Sequence, residues 1–173
     1  MHGYSYLEKD ALQEILMQPA VKKHVGIIHL EMVRESRSLY GMAQLSSPKE
    51  AAELAAPMFE RTDREMIVVL SMDSQMEPVA LEIAAVGGLK HCGVDMANLF
   101  KHAILSNSAG IICFHNHPSG DCEPSREDMA MTRRLEECGK LLGIPLIDHI
   151  IIGQEGTYLS FAEQGWMKGD GAA

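Results

Sequence analysis

The run Met66-Ile67-Val68-Val69-Leu70-Ser71-Met72 is apolar at nearly every position and rich in β-branched residues. It is too short for a buried helix and has no polar alternation, so it predicts a strand covered on both faces. A turn at Asp73 to Gln75 and an alternating segment from Val79 to Val86 extend it into a hairpin. Upstream, Ser46-Ser47-Pro48-Lys49-Glu50 is a helix start with proline near the first helical position, running to about Phe59. Downstream, Met96 to Leu105 reads as a helix and Ala109 to Phe114 as a second buried strand. A long helix follows from Ser125 to Leu142, closed by Gly143 and Pro145, with Asp128, Met131, Leu135, Cys138 and Leu142 along one face. Leu146 to Ile152 and Thr157 to Leu159 make a last pair of strands around Gly153-Gln154-Glu155-Gly156. This order predicts a three-layer α/β arrangement with a mixed sheet flanked by helices. Ahead of it, Leu7 to Met17 is a short amphipathic helix candidate limited by Pro19, and Val25 to Met32 a strand candidate. The organisation expected is an N-terminal extension over residues 1–45, one domain over 46–167 and a flexible tail over 168–173.

Composition narrows the class. With 173 residues, 46% hydrophobic and 23% charged, the chain suffices for one good core. A net charge of −9 sets a field that repels phosphate backbones, so direct nucleic-acid binding is expected to be weak. Cys92, Cys113, Cys122 and Cys138 show no Cys-x-x-Cys spacing, and Met1-His2-Gly3-Tyr4 opens no signal peptide. Free thiols and a cytoplasmic location are the expectation, with no membrane-spanning run.

The chemistry concentrates in His115-Asn116-His117-Pro118-Ser119-Gly120, followed by Pro124-Ser125 and Asp128. Two imidazoles two residues apart in an extended chain project to the same side. Asp128 lies one turn into the long helix and heads its inward stripe, and a carboxylate aimed inward needs a partner. Two nitrogens, one carboxylate and an open fourth position form the ligand set of a catalytic zinc site. Simpler readings stand beside this one. Ser125-Arg126-Glu127-Asp128 is also a capping box, and a His-x-His pair is often two polar side chains at a strand end. Cys113 shares the face of His115 and reads as packing. Asp148-His149 reads as a capping or core-edge pair, with a contact behind the metal as the alternative.

The spacing His-x-His, seven residues, Ser, two residues, Asp resembles the JAMM (Jab/MPN) metalloprotease motif. The wider string through Thr132-Arg133-Arg134-Leu135, Gly139 to Pro145, Asp148 to Gly153 and Ser160 to Trp166 is similar to the bacterial RadC branch of that family. The resemblance implies a cytidine-deaminase-like JAMM/MPN fold and a zinc-dependent hydrolase of amide bonds, metallopeptidase or isopeptidase in type, acting on a peptide or protein substrate. It assigns His115, His117 and Asp128 to Zn2+, Ser125 to an oxyanion, and an upstream glutamate to the water. Glu65 suits that last role because it stands where a loop enters a buried strand, as the family's glutamate does; Glu82 and Glu123 have solvent-facing alternatives. The chain departs from the branch at Gly87 to Asp95, and the residues before the matched region contain no helix-hairpin-helix pattern. The rival implied by the family name is a DNA-repair or recombination accessory protein with a structural or vestigial metal site. An iron oxygenase with the same ligand types needs an all-β barrel. An HNH nuclease spreads its three residues over a ββα unit.

Overall fold

The computed structural model describes residues 44–60, 62–87 and 95–167. The helix and strand candidates before residue 33, Cys92, most of the Gly87 to Asp95 segment and the tail from residue 168 lie outside them. In chain order the elements are α1 (Pro48–Ala55), a short 3-10 turn (Ala56–Met58), β1 (Met66–Met72), β2 (Pro78–Val86), α2 (Met96–Leu105), β3 (Gly110–Asn116), α3 (Arg126–Leu142), β4 (Leu146–Ile152) and β5 (Tyr158–Ser160). The first helix gives way at Ala55 to the 3-10 turn instead of running to Phe59, because Pro57 has no N–H for the next helical bond.

The strands form one sheet in the order β2-β1-β3-β4-β5, with β3 and β4 parallel and every other neighbouring pair antiparallel. Every residue of β1 is buried, as its unbroken apolar run requires. Met66, Val68, Leu70 and Met72 face one cluster with Ala51, Leu54 and Ala55 of α1. Ile67 and Val69 face another with Leu99 and Phe100 of α2 and Met131 and Leu135 of α3. Helices therefore cover both faces, and the three-layer α/β arrangement with a mixed sheet is what forms.

Two details position the site. Strand β3 runs through Asn116, two residues beyond the predicted end at Phe114, so His115 lies inside the ladder, paired with Ile67 on one side and Ile151 on the other. The inward face of α3 comprises Asp128, Met131, Thr132, Leu135 and Gly139. Leu142, expected on that face, is 45% exposed, because the stripe winds past it within four turns. Among the described residues no helix is long and apolar enough to cross a membrane.

Candidate metal centre

β3 and α3 meet where the strand ends and the helix begins. His115 is fully buried, His117 lies just past the strand, and Asp128 is the third residue of α3, 1% exposed. One ligand atom from each of the three comes within 4.8 Å of the others. His115 Nε2 is 3.1 Å from His117 Nε2 and 3.2 Å from Asp128 Oδ1, and His117 Nε2 is 3.4 Å from Asp128 Oδ2.

The capping box and the metal reading turn out to be two uses of one carboxylate. Asp128 Oδ2 accepts from Ser125 N at 2.7 Å and from Ser125 Oγ at 2.6 Å, while Asp128 N donates to Ser125 Oγ at 3.1 Å. Oδ1 is buried and takes part in no aligned hydrogen bond. His117 Nδ1 donates to the Asp121 carbonyl at 2.7 Å, so a neutral His117 presents a bare Nε2 to the cluster. Where His115 Nε2 carries no proton, acceptors converge here, an arrangement costly to bury unless a cation, either a metal ion or the protonated His115 ring itself, completes it. A metal ion bound by two imidazole nitrogens and one carboxylate oxygen fits these donors. Burial by itself would raise the Asp128 carboxyl. The adjacent His115 and the two bonds from Ser125 outweigh it and hold the group below the usual carboxylate range.

A pocket of about 310 Å³ opens over His117 and Asp128. Glu65, Ser119, Ser125 and Glu127 line it together with His117 and Asp128. Glu65 and Ser125 are thereby brought to the metal-site candidates. Glu82 is not: its Oε2 lies 3.0 Å from His102 Nδ1, and Glu123 is exposed in the ligand loop. Among the described residues no Lys or Arg lines the pocket, and the charged side chains that do, Glu65, Glu127 and Asp128, are acidic.

Three supports surround the site, of which the first had no signal in the sequence and the last appeared there only as an alternative. Asn116, its side chain opposed to its histidine neighbours, accepts from Met66 N at 2.9 Å and donates to Thr62 Oγ1 at 3.0 Å and Arg64 O at 3.2 Å. Gly87 N donates to Glu65 O at 2.8 Å, so the backbone on both sides of Glu65 is pinned to the sheet. Next, the ligand loop seats on the β4–β5 turn through Gly120, at φ 80°, and Gly153. A Cβ on Gly120 would come within 2.6 Å of Gln154, and one on Gly153 within 2.5 Å of Cys122 Sγ. Last, His149 is wholly buried and its ring contacts His115, where a capping or core-edge role was the simpler expectation. Asp148 does take a capping role, accepting from His149 N and Ala162 N. Cys113 is packing, as expected: burial, with the Asp128 charge adding to it, pushes its thiol up to about 12, so it is no nucleophile near neutrality.

The chain is similar to known proteins over most of its length. The "UPF0758 protein" of Methanosarcina mazei is 41% identical over 125 residues, covering 72% of this chain and 54% of that protein. That of Staphylococcus carnosus is 42% identical over 124 residues, covering 72% and 54%. The "UPF0758 protein YsxA" of Bacillus subtilis is 32% identical over 170 residues, covering 95% and 73%. The chain spans about half the length of the first of these. Residues 45–166, which hold the whole sheet, both flanking layers and the candidate centre, match the RadC-like JAB domain, and the chain belongs to that family.

Proposed function

We propose that the chain is a zinc-dependent hydrolase of amide bonds, peptidase or isopeptidase in type. The supporting observation is that Glu65, from the loop before β1, lines the same pocket as His117, Ser125 and Asp128. His115, His117 and Asp128 would hold the zinc, which when bound supplies an acidified water and a Lewis-acid contact for the carbonyl. Glu65 takes a proton on the attacking side and returns it to the leaving amine. Asn116 and Gly87 hold the backbone flanking Glu65, so its carboxylate arrives from a fixed origin. Ser125 Oγ gives its proton to Asp128 Oδ2 in the arrangement described, so donating to an oxyanion requires the hydroxyl to rotate. The negative lining favours peptide segments carrying cationic side chains and disfavours phosphate.

The test is a peptide-library digestion by zinc-loaded protein, followed by Glu65→Gln on any substrate found. Glutamine keeps size and most hydrogen bonding but takes no proton, so zinc is retained while kcat falls at least ~10²-fold. Survival of activity in Glu65→Gln with loss in Glu82→Gln would place the base elsewhere, and loss of zinc would make Glu65 a ligand or a structural residue.

A further inference from the structure

Behind the candidate centre runs a chain of hydrogen bonds whose directions can be read from one fixed end. Thr132 Oγ1 donates its single proton to the main-chain carbonyl of Asp128, one turn back, at 2.8 Å. The same oxygen lies 2.7 Å from His149 Nδ1, so there the ring N–H is the donor. His149 has no exposed surface and stacks on Phe161 with ring centroids 4.6 Å apart; among the described residues its ring nitrogens meet Thr132 and His115. A neutral ring protonated at Nδ1 offers a bare Nε2, and that atom is 2.8 Å from His115 Nδ1. His115 must then donate from Nδ1, which leaves its Nε2 lone pair facing Asp128 Oδ1 and His117.

We propose that His149, oriented by Thr132, is a positioning residue that fixes the tautomer and ring plane of His115 for metal binding. The proposal rests on the metal reading of His115, His117 and Asp128. The nitrogen behind a metal-bound histidine usually donates to a carboxylate, a carbonyl or water. A carboxylate here would put a second negative charge beside the buried Asp128, whereas an imidazole supplies an acceptor without charge. The chain starts on the carbonyl of Asp128 and ends at its side chain, so α3, β4 and β3 are joined in one circuit through Thr132, His149 and His115, all three buried. The parallel register pairing Cys113 with His149 brings the second ring up beside the first.

Zinc affinity of the full chain at neutral pH, measured by competition with a chromophoric chelator, tests this, with melting of the metal-free proteins as the check on folding. His149→Phe preserves a ring against Phe161 but removes the acceptor, and should weaken zinc binding about 10–100-fold. His149→Gln can accept from His115 through its amide oxygen and donate to Thr132 through its NH2, and should recover most of that loss. Thr132→Val should weaken binding in the same direction and Thr132→Ser should not; this pair decides the matter if the phenylalanine variant does not fold. Equal affinity in wild type, His149→Phe and Thr132→Val would overturn the proposal, as would a glutamine variant as weak as phenylalanine, which would mean that packing alone is at stake. A wild type that binds no zinc would instead overturn the metal reading, and the proposal with it.

Discussion

Replacing Asp128 by asparagine should stabilise the metal-free protein while abolishing its use for metal. In the wild type at mildly alkaline pH, Asp128 Oδ1 is buried without a hydrogen bond, 3.2 Å from an imidazole nitrogen that also carries a lone pair. An asparagine in the same rotamer keeps its oxygen where Oδ2 accepts from Ser125 N and Oγ, at 2.7 and 2.6 Å. Its NH2 then occupies the position of Oδ1, within donor range of His115 Nε2. The helix cap survives, the bare acceptor is gone, and His115 gains a proton donor. Satisfying one such buried group is worth about 1–3 kcal/mol. At ~2–4 °C per kcal/mol for a chain of this size, the melting temperature should rise by roughly 2–12 °C. The assay is calorimetry in the presence of a chelator, comparing wild type, Asp128→Asn and Asp128→Ala. Alanine also loses the side chain that answers Ser125 and should fall below wild type. Added zinc at a hundred times its Kd should stabilise wild type by ~2.7 kcal/mol and leave the asparagine variant nearly unmoved. An asparagine variant that melts below wild type in chelator would refute the view that this carboxylate is held in an unfavourable arrangement for the sake of a cation.

Elemental analysis should find close to one zinc per chain in wild type and little in His117→Ala; equal zinc in both would remove His117 from the ligand set. His102 is 7% exposed, and burial lowers its pKa below the ordinary 6.5, with Glu82 partly opposing the shift. The unfolded chain therefore takes up a proton that the folded one refuses, so stability is lost as pH falls below about 6.5, by at most ~1.4 kcal/mol per pH unit. Chemical denaturation of His102→Gln should show a flatter acid limb than wild type, and an unchanged limb would acquit His102. With a net charge of −9 and a pocket lined by carboxylates, DNA binding at physiological salt should be no tighter than the ~10⁻⁴ to 10⁻⁶ M of non-specific binders; a salt-resistant complex below that range would contradict it.

The parts of the site readable from the sequence are those whose geometry is local. His115 and His117 share a side because strands alternate, and Asp128 points inward because of helical period, so fourteen residues of chain carry the whole ligand argument. The layer order was equally legible, since a run such as Met66 to Met72 has no stable place except between two covered faces. What escaped notice depends on register between distant segments. Thr132 is one turn beyond Asp128 on the same face, a spacing visible in the sequence, but its partner His149 arrives only through the parallel pairing of β3 with β4. Asn116 was hidden for the same reason: its three bonds reach back about fifty residues to the loop around Glu65. Glu127 sits beside the ligand in the capping box, and only the pocket distinguishes it from an ordinary first-turn acid.

The double duty of the Ser125–Asp128 pair bears on how such a chain changes over generations. An alanine at a helix cap costs about 0.5–2 kcal/mol whether or not any chemistry takes place nearby. A descendant that had no use for a metal would still be selected to keep the serine, with an aspartate or asparagine to answer it at position 128, because α3 begins there. His117 carries no comparable burden: beyond the cluster, its hydrogen bond is one donated to the loop carbonyl of Asp121. The serine of the motif therefore records a helix, and the second histidine, with the choice of aspartate over asparagine, is where the proposed metal chemistry would leave its record.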